Sequence, residues 1–397
     1  MLSLPAWWYL GLGYFAWPLM TPALVAMASR RGSRVPAGFG LWMLFLLCMA
    51  ASSVELDSGS RGLAFAYRIG LGLSATLFFL ILYSDFPRRI TGRAVLHSYA
   101  LYWGIIIAGG FVAIWKPNLS FTTLAQHLTP GALQHNEFVY SIVHPSVTEQ
   151  SNVLHHSHPR PDMFFSYTNH WGAAVAFLTP FVLGSLSYAR STLTRCVIAC
   201  SLIAALIPVV WSLNRGLWLS LGIAAVYLGL RRVRRTRKVW ATAALLVAVL
   251  GAALLFTPLG TVTHERFSTR SSTAGRAALY DETEQRVLAS PVLGYGAPRP
   301  STNQYQPSAG TQTELGLIAF SNGIPALVLF VSWFTVVLWR TRHVGSGVGF
   351  WCHLAILVAV CFSPFYEWAV MLPLVMGAAA VALREAEAVA APCGQAT

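Results

Sequence analysis

Charge is what this sequence has least of. Asp, Glu, Lys and Arg together make up only 10% of its 397 residues, against 55% hydrophobic ones. A soluble domain carries roughly a quarter of its residues charged, so a water-exposed globule is excluded. Cysteine is also scarce, and the six present (Cys48, Cys196, Cys200, Cys352, Cys361, Cys393) form no CxxC pair. Lying mostly in apolar runs, they read as small core residues rather than a metal site or a disulfide framework. No P-loop, no GxGxxG after a strand, no HExxH and no GxSxG occurs, which removes the commoner nucleotide-cradling, zinc-hydrolase and serine-hydrolase motifs.

What the chain has instead is long apolar runs. Uncharged stretches of about 20 residues, the length that crosses a ~30 Å hydrocarbon core, recur throughout. They predict eleven spans, near 5–28, 37–54, 62–83, 94–115, 169–189, 196–213, 216–230, 239–257, 315–339, 347–364 and 366–383. The first run ends in Ala26, Met27 and Ala28, a small-x-small pattern. Residues 1–4 contain no Lys or Arg to start a signal peptide, so the run is expected to stay as a span.

Basic residues in the joints orient the whole. SRRGSR, FPRRITGR, ARSTLTR, RRVRRTRK, RTR and Arg384 are assigned to the cytoplasm; that side then holds 17 Lys/Arg and 3 Asp/Glu, leaving 10 and 11 for the other. The net charge of +13 thus reflects membrane topology, with the N-terminus outside and the C-terminus inside. No basic stripe interleaved with aromatics points to a nucleic-acid partner. The chain, 1–397, reads as one integral membrane domain: an all-α polytopic transmembrane bundle with two long extracytoplasmic loops, 116–168 and 258–313. Loops held by a rigid scaffold carry function more often than the scaffold does. Chemistry is therefore expected outside, where ATP and nucleotide sugars are absent.

Seven of the eleven histidines lie between His127 and His170. HHSH at 155–158, with Asp162, could supply metal ligands, but one adjacent pair is a weak signal and tolerated surface histidines are the simpler reading. Tyr167, Asn169 and His170 fall at the outer boundary of the fifth span, either as an interfacial belt or in reach of a lipid headgroup. Asn214 and Arg215 stand between two apolar runs. A guanidinium drawn to mid-bilayer there costs about 2.5–3.5 kcal/mol, so Arg215 must find a counter-ion or stay at the interface. It is either a turn residue or a phosphate clamp, since a guanidinium fork matches phosphate oxygens.

Arg68 is the one strongly ionisable group clearly within a span, toward its outer end. In the second loop GRAALYD, 275–281, supplies Arg276 and Tyr280 on a segment with helical spacing that stops at the Pro and Gly of SPVLGYG. It is expected to lie along the membrane as an interfacial helix, with Arg276 facing a headgroup or paired to Asp281, Glu282 or Glu284.

Together these stretches resemble the O-antigen ligase and O-antigen polymerase family. SLNRG opens a short span, and Arg276 is followed by ASPVLGYG, similar to that family's arginine followed by Asn/Ser-Pro-x-x-Gly-x-Gly. FSYTNHWGAAVAFLTP resembles its Pro-Asn helix, with Asn169 at the matching position, and a polar residue stands ten intervening positions before the glycine of SNGIPA. The likeness covers about 160–330. It implies a GT-C-like glycosyltransferase of the bacterial plasma membrane with an extracytoplasmic active site. Such an enzyme moves a glycan from an undecaprenyl or other polyprenyl diphosphate to a hydroxyl of a glycan or glycolipid acceptor, without nucleotide sugar, cofactor or metal.

By the same resemblance Arg215, Arg276 and the position of Gln312 are catalytic candidates, with Glu314 added as a nearby carboxylate. Asn169, at the matching position, and His170, Asn214, Tyr280 and Arg68, by their placement at the outer boundary, are substrate-binding candidates. Gln312 departs from the pattern, because ligases carry a histidine there and an amide takes no proton. Glu314, His170 or Glu367 could act as base, or the diphosphate could leave without one. A lipid-linked saccharide transporter, which would show a mid-membrane ionisable site or paired broken helices, and a non-catalytic assembly partner also fit the hydropathy.

Overall fold

A computed structural model describes residues 3–30, 34–135, 137–153, 156–232, 270–303, 307–345 and 347–390. Where one span was expected over 5–28, the chain makes two helices, α1 (Leu4–Tyr9) and α2 (Ala16–Ser29). Gly11 lies between them at φ +76°, and the Leu10 carbonyl accepts the amide N–H of Ala125. The left-handed glycine turns the first helix back onto the long loop instead of letting it run through.

The next three helices match expectation: α3 (Phe39–Ala51), extended by a 3₁₀ turn at Ser52–Glu55, α4 (Gly59–Asp85) and α5 (Gly92–Trp115). The long loop after them, 116–168, builds its own secondary structure. It holds α6 (Leu124–Leu128), α7 (Gly131–Gln134), α8 (Glu137–Val143) and an antiparallel hairpin of β1 (Thr148–Val153) and β2 (His156–Pro161), with Thr148 opposite Pro161. Three helices follow, α9 (Thr168–Tyr188), α10 (Thr192–Trp211) and α11 (Arg215–Arg232). The span expected at 239–257 lies outside the described residues. Beyond it come α12 (Arg270–Ala289), α13 (Glu314–Thr341), α14 (Gly347–Phe362) and α15 (Leu372–Ala390). Among the described residues six helices have the length and composition to cross a membrane, with shorter apolar helices beside them. The protein is a polytopic helical bundle.

Side-chain bonds sort the connections into two ends. At the loop-rich end Asn322 Nδ2 donates to Ser52 Oγ, Asn214 Nδ2 to the Thr168 carbonyl, and the Glu314 amide to the Ser363 carbonyl. At the basic end the Arg34 amide donates to Ser84 Oγ, Arg340 to the Ala37 carbonyl and to Glu387, and Arg231 to the Arg342 carbonyl. The centre is α15, in which every residue from 372 to 383 is buried. A helix apolar all round belongs inside a bundle, and Gly377 with Ala378, Ala379 and Ala380 lets α4 and α5 come close: a Cβ at 377 would press on Phe78, Leu82 and the Tyr99 hydroxyl.

Candidate functional site

The site's scaffold is a backbone lock at the loop-rich end. α13 is interrupted at Gly323, where φ is 83° and ψ 170°, and the turn after α12 sits on the break. Tyr295 and Gly296 donate their amides to the carbonyls of Phe320 and Ser321 at 2.9 and 2.7 Å, while the Ile324 amide donates to the Pro291 carbonyl at 2.7 Å. Gly294 and Gly296 are left-handed too, at φ 64° and 74°. A Cβ on Gly294 would collide with the backbone of residues 320–322, and one on Gly323 with that of Val292. SPVLGYG and SNG are thus two halves of one joint, which gives their glycines a steric reason.

Arg61, itself buried, seals the joint by donating to the carbonyls of Tyr295, Ala297 and Pro298 and pairing with Asp57. Arg299 lies over the Tyr295 ring and bonds Asp57 at 3.0 Å. The hydrogen bond from Arg61 holds the exposed Asp57 carboxyl below its usual range.

Ahead of the break, Thr313 Oγ1 caps α13 by accepting the Gly316 amide. Glu314 follows and ties down the 363–371 connection: its Oε2 accepts the Trp368 amide at 2.9 Å, and its own amide donates to the Ser363 and Tyr366 carbonyls. The tie places Glu367 between α4 and α9. One Glu367 oxygen lies 4.0 Å from Arg68 Nη2, and the other 3.7 Å from His170 Nε2. Arg68 reaches on to Ser321 Oγ at 3.2 Å, beside the joint.

His170 Nδ1 is 2.8 Å from the Tyr14 hydroxyl, whose oxygen accepts the Ser166 amide at 3.0 Å. Burial pushes the Tyr14 phenol above its usual range, so it stays a neutral hydrogen-bonding group. A cavity of about 50 Å³ opens between α3, α4, α13 and the 363–371 connection, with Tyr67, Arg68, Glu314, Asn322 and Glu367 as its polar lining. Charged groups removed from water persist only when paired; here Glu367 lies between Arg68 and His170, while Glu314 is held by the Trp368 amide.

Of the expected site residues, Arg68, His170 and Glu314 come together here with Glu367. Arg215 begins α11 and is half-buried without lining the cavity. Its neighbours fix it: Asn214, 1% exposed, accepts the Leu217 amide at Oδ1, and a Cβ on Gly216 would strike the Tyr366 ring. Asn214 is therefore spent on capping α11 and on Thr168, while Arg215 stands next to the connection that carries Glu367. Arg276 is in α12, as the expected helix requires, but its side chain lies outside the described residues. Tyr280 is exposed on α12, and Gln312 is half-buried two residues before Glu314.

Asn169 is in the first turn of α9. Its Oδ1, with the Tyr67 hydroxyl and Ser166 Oγ, is a buried polar atom with no protein partner among the described residues. Of the HHSH run, His155 is outside the described residues and His158 bonds the Trp211 carbonyl at 3.0 Å. Among the described residues no group of three or more His, Cys, Asp or Glu is arranged to hold a metal ion. Tyr14 and Ser321 join the network without a sequence signal. Tyr14 lies in an apolar run that carries no local signal, and the hydroxyl of SNG acquires meaning only when the joint faces Arg68.

A polytopic helical membrane protein with a buried ion network at one end of its bundle is the class these observations define. Residues 199–331, about a third of the chain, match the model of the family described as O-antigen ligase. That match supports a membrane glycan-transferring enzyme of the ligase or polymerase type. The matched stretch contains Asn214, Arg215, Arg276, Gln312, Glu314 and both halves of the backbone joint; Arg68, Asn169, His170 and Glu367 lie outside it. No curated protein matches the chain.

Proposed function

We propose that the protein transfers a glycan from a polyprenyl diphosphate to a hydroxyl of a glycan or glycolipid acceptor, at the loop-rich end of the bundle and on the extracytoplasmic side of a bacterial plasma membrane. The observation that carries this reading is the Arg68–Glu367–His170 network on a cavity beside Glu314, with Arg215 at the adjoining start of α11. Transfer builds negative charge on the departing diphosphate, and preorganised guanidinium groups stabilise that charge in a water-poor site. Arg215 and Arg276 take that role, with Tyr280 on the same helix as Arg276. The acceptor side needs hydrogen-bonding groups for a polyol, and the unpartnered Asn169 Oδ1 and Tyr67 hydroxyl supply them. A transporter would share the break in α13, but there the freed backbone is taken by residues 291–296 rather than left for a substrate.

The test is purified protein in liposomes with a lipid-linked glycan and an acceptor. Arg215→Ala is expected to slow transfer about 10²–10³-fold while the protein elutes as the parent does. A product ladder identifies a polymerase and one discrete adduct a ligase. Undiminished transfer by both Arg215→Ala and Arg276→Ala would refute the reading.

A further inference from the structure

We propose that Glu367 takes the proton from the acceptor hydroxyl and that His170 and Tyr14 position it; this rests on the glycan-transfer reading above. Two carboxylates line the cavity. Glu314 is engaged, since its Oε2 accepts the Trp368 amide at 2.9 Å and its backbone holds the same connection. The Glu367 oxygens lie 4.0 Å from Arg68 and 3.7 Å from His170, outside direct hydrogen-bond distance. They are oriented by charge yet keep lone pairs for an incoming hydroxyl. Glu367 is also the more open of the two, half-buried where Glu314 is buried. Gln312, an amide, can orient a hydroxyl but not deprotonate it.

The orientation of His170 follows from its neighbours. Ser166 N–H donates to the Tyr14 oxygen, and we assign the phenol's own hydrogen to His170 Nδ1, 2.8 Å away. The ring hydrogen is then on Nε2, facing Glu367. The charged and titratable groups that face Glu367 are Arg68 and Tyr67 from α4, His170 from α9, Glu314 from α13 and Tyr14 from the turn before α2. In the step itself the acceptor O–H gives its proton to the Glu367 carboxylate, and the oxygen lone pair forms a bond to the anomeric carbon. The bond from that carbon to the diphosphate breaks, and its electron pair leaves with the diphosphate.

Purified Glu367→Gln, Glu367→Asp and Tyr14→Phe, each checked for parent-like elution and melting, would be assayed with the lipid-linked donor across pH. Glu367→Gln is expected to lose 10²–10⁴-fold in turnover with donor binding retained and with the acid-side fall of the rate flattened. Glu367→Asp should recover part of that loss. Tyr14→Phe should lower turnover with an unchanged acceptor KM, and in a Glu367→Gln background should cost nothing more. If Glu367→Gln does not fold, the assignment is decided on Glu367→Asp, where full turnover overturns it. Transfer by Glu367→Gln within threefold of the parent at every pH overturns it directly. Absence of transfer by the parent protein sinks the functional reading instead, so the two failures are distinct.

Discussion

Asp162 shows how much a single side chain in the long loop is constrained. It is 2% exposed, and its Oδ1 has no hydrogen-bond partner among the described residues. Burial pushes its carboxyl well above the usual range, the nearby Glu149 charge adds to this, and Arg160 opposes it. A raised carboxyl means the folded chain binds the proton more tightly than the unfolded chain. Stability is therefore lost as pH rises from the unfolded value of about 4 toward the folded one. Asp162→Asn removes the charge without changing shape. At neutral pH it is expected to raise the unfolding free energy by about 1 kcal/mol, read as a higher melting temperature, and the gain should vanish near pH 4. A lower melting temperature at neutral pH would show that the ionised form is needed.

At the scale of elements, the joint between α13 and the 290–296 turn decides the geometry. Gly323→Ala puts a Cβ into the Val292 backbone at a φ of 83°, so a loss of about 2–4 kcal/mol is expected, visible as poor monodispersity and a lowered melting temperature. The turn's far side is held by acids. Asp57 bonds Arg299, and Glu282 accepts from Ser301 Oγ at 2.6 Å and from the Thr302 amide at 2.9 Å. Both carboxyls lie below their usual range, Asp57 because of the Arg61 hydrogen bond. For Glu282, partial burial pushes up but is outweighed by Ser301, Thr302 and Arg286. Depressed carboxyls stabilise above their unfolded values and lose that contribution as pH falls through the folded ones. Hydrogen exchange at residues 299–303 should therefore quicken below about pH 4, while α15 stays protected. Equal protection of both at pH 3 would contradict this.

For the whole molecule, the alternation of helices puts Thr302 and Arg89 at opposite ends. With native cysteines replaced, an impermeant maleimide applied to intact cells should label Thr302→Cys and spare Arg89→Cys; the reverse pattern would invert the proposed topology. Most of the bundle was legible in the sequence, because lipid requires each span to satisfy its own backbone and so demands long apolar helices. The break before α2 was not, since Gly11 in an apolar run carries no signal until Ala125 comes to meet Leu10. The site was legible in its chemistry and not in its grouping. Arg68, His170, Glu314 and Glu367 could each be picked out as ionisable groups at outer margins, but their convergence depends on a joint whose two halves are separate in sequence. The hairpin in the long loop and the roles of Arg61 and Tyr14 come from tertiary contacts that no local pattern announces.

The ion network has a consequence for biogenesis. Its members, Tyr14, Arg68, His170, Glu314 and Glu367, are synthesised in that order along almost the entire chain, and the last of them emerges from the ribosome just ahead of α15. Until that helix has been inserted, Arg68 lacks the Glu367 carboxylate that neutralises it and His170 lacks the acceptor that its ring faces. A nascent or truncated chain would therefore hold an uncompensated guanidinium at the membrane edge, a mark that cellular quality control can distinguish from the finished protein.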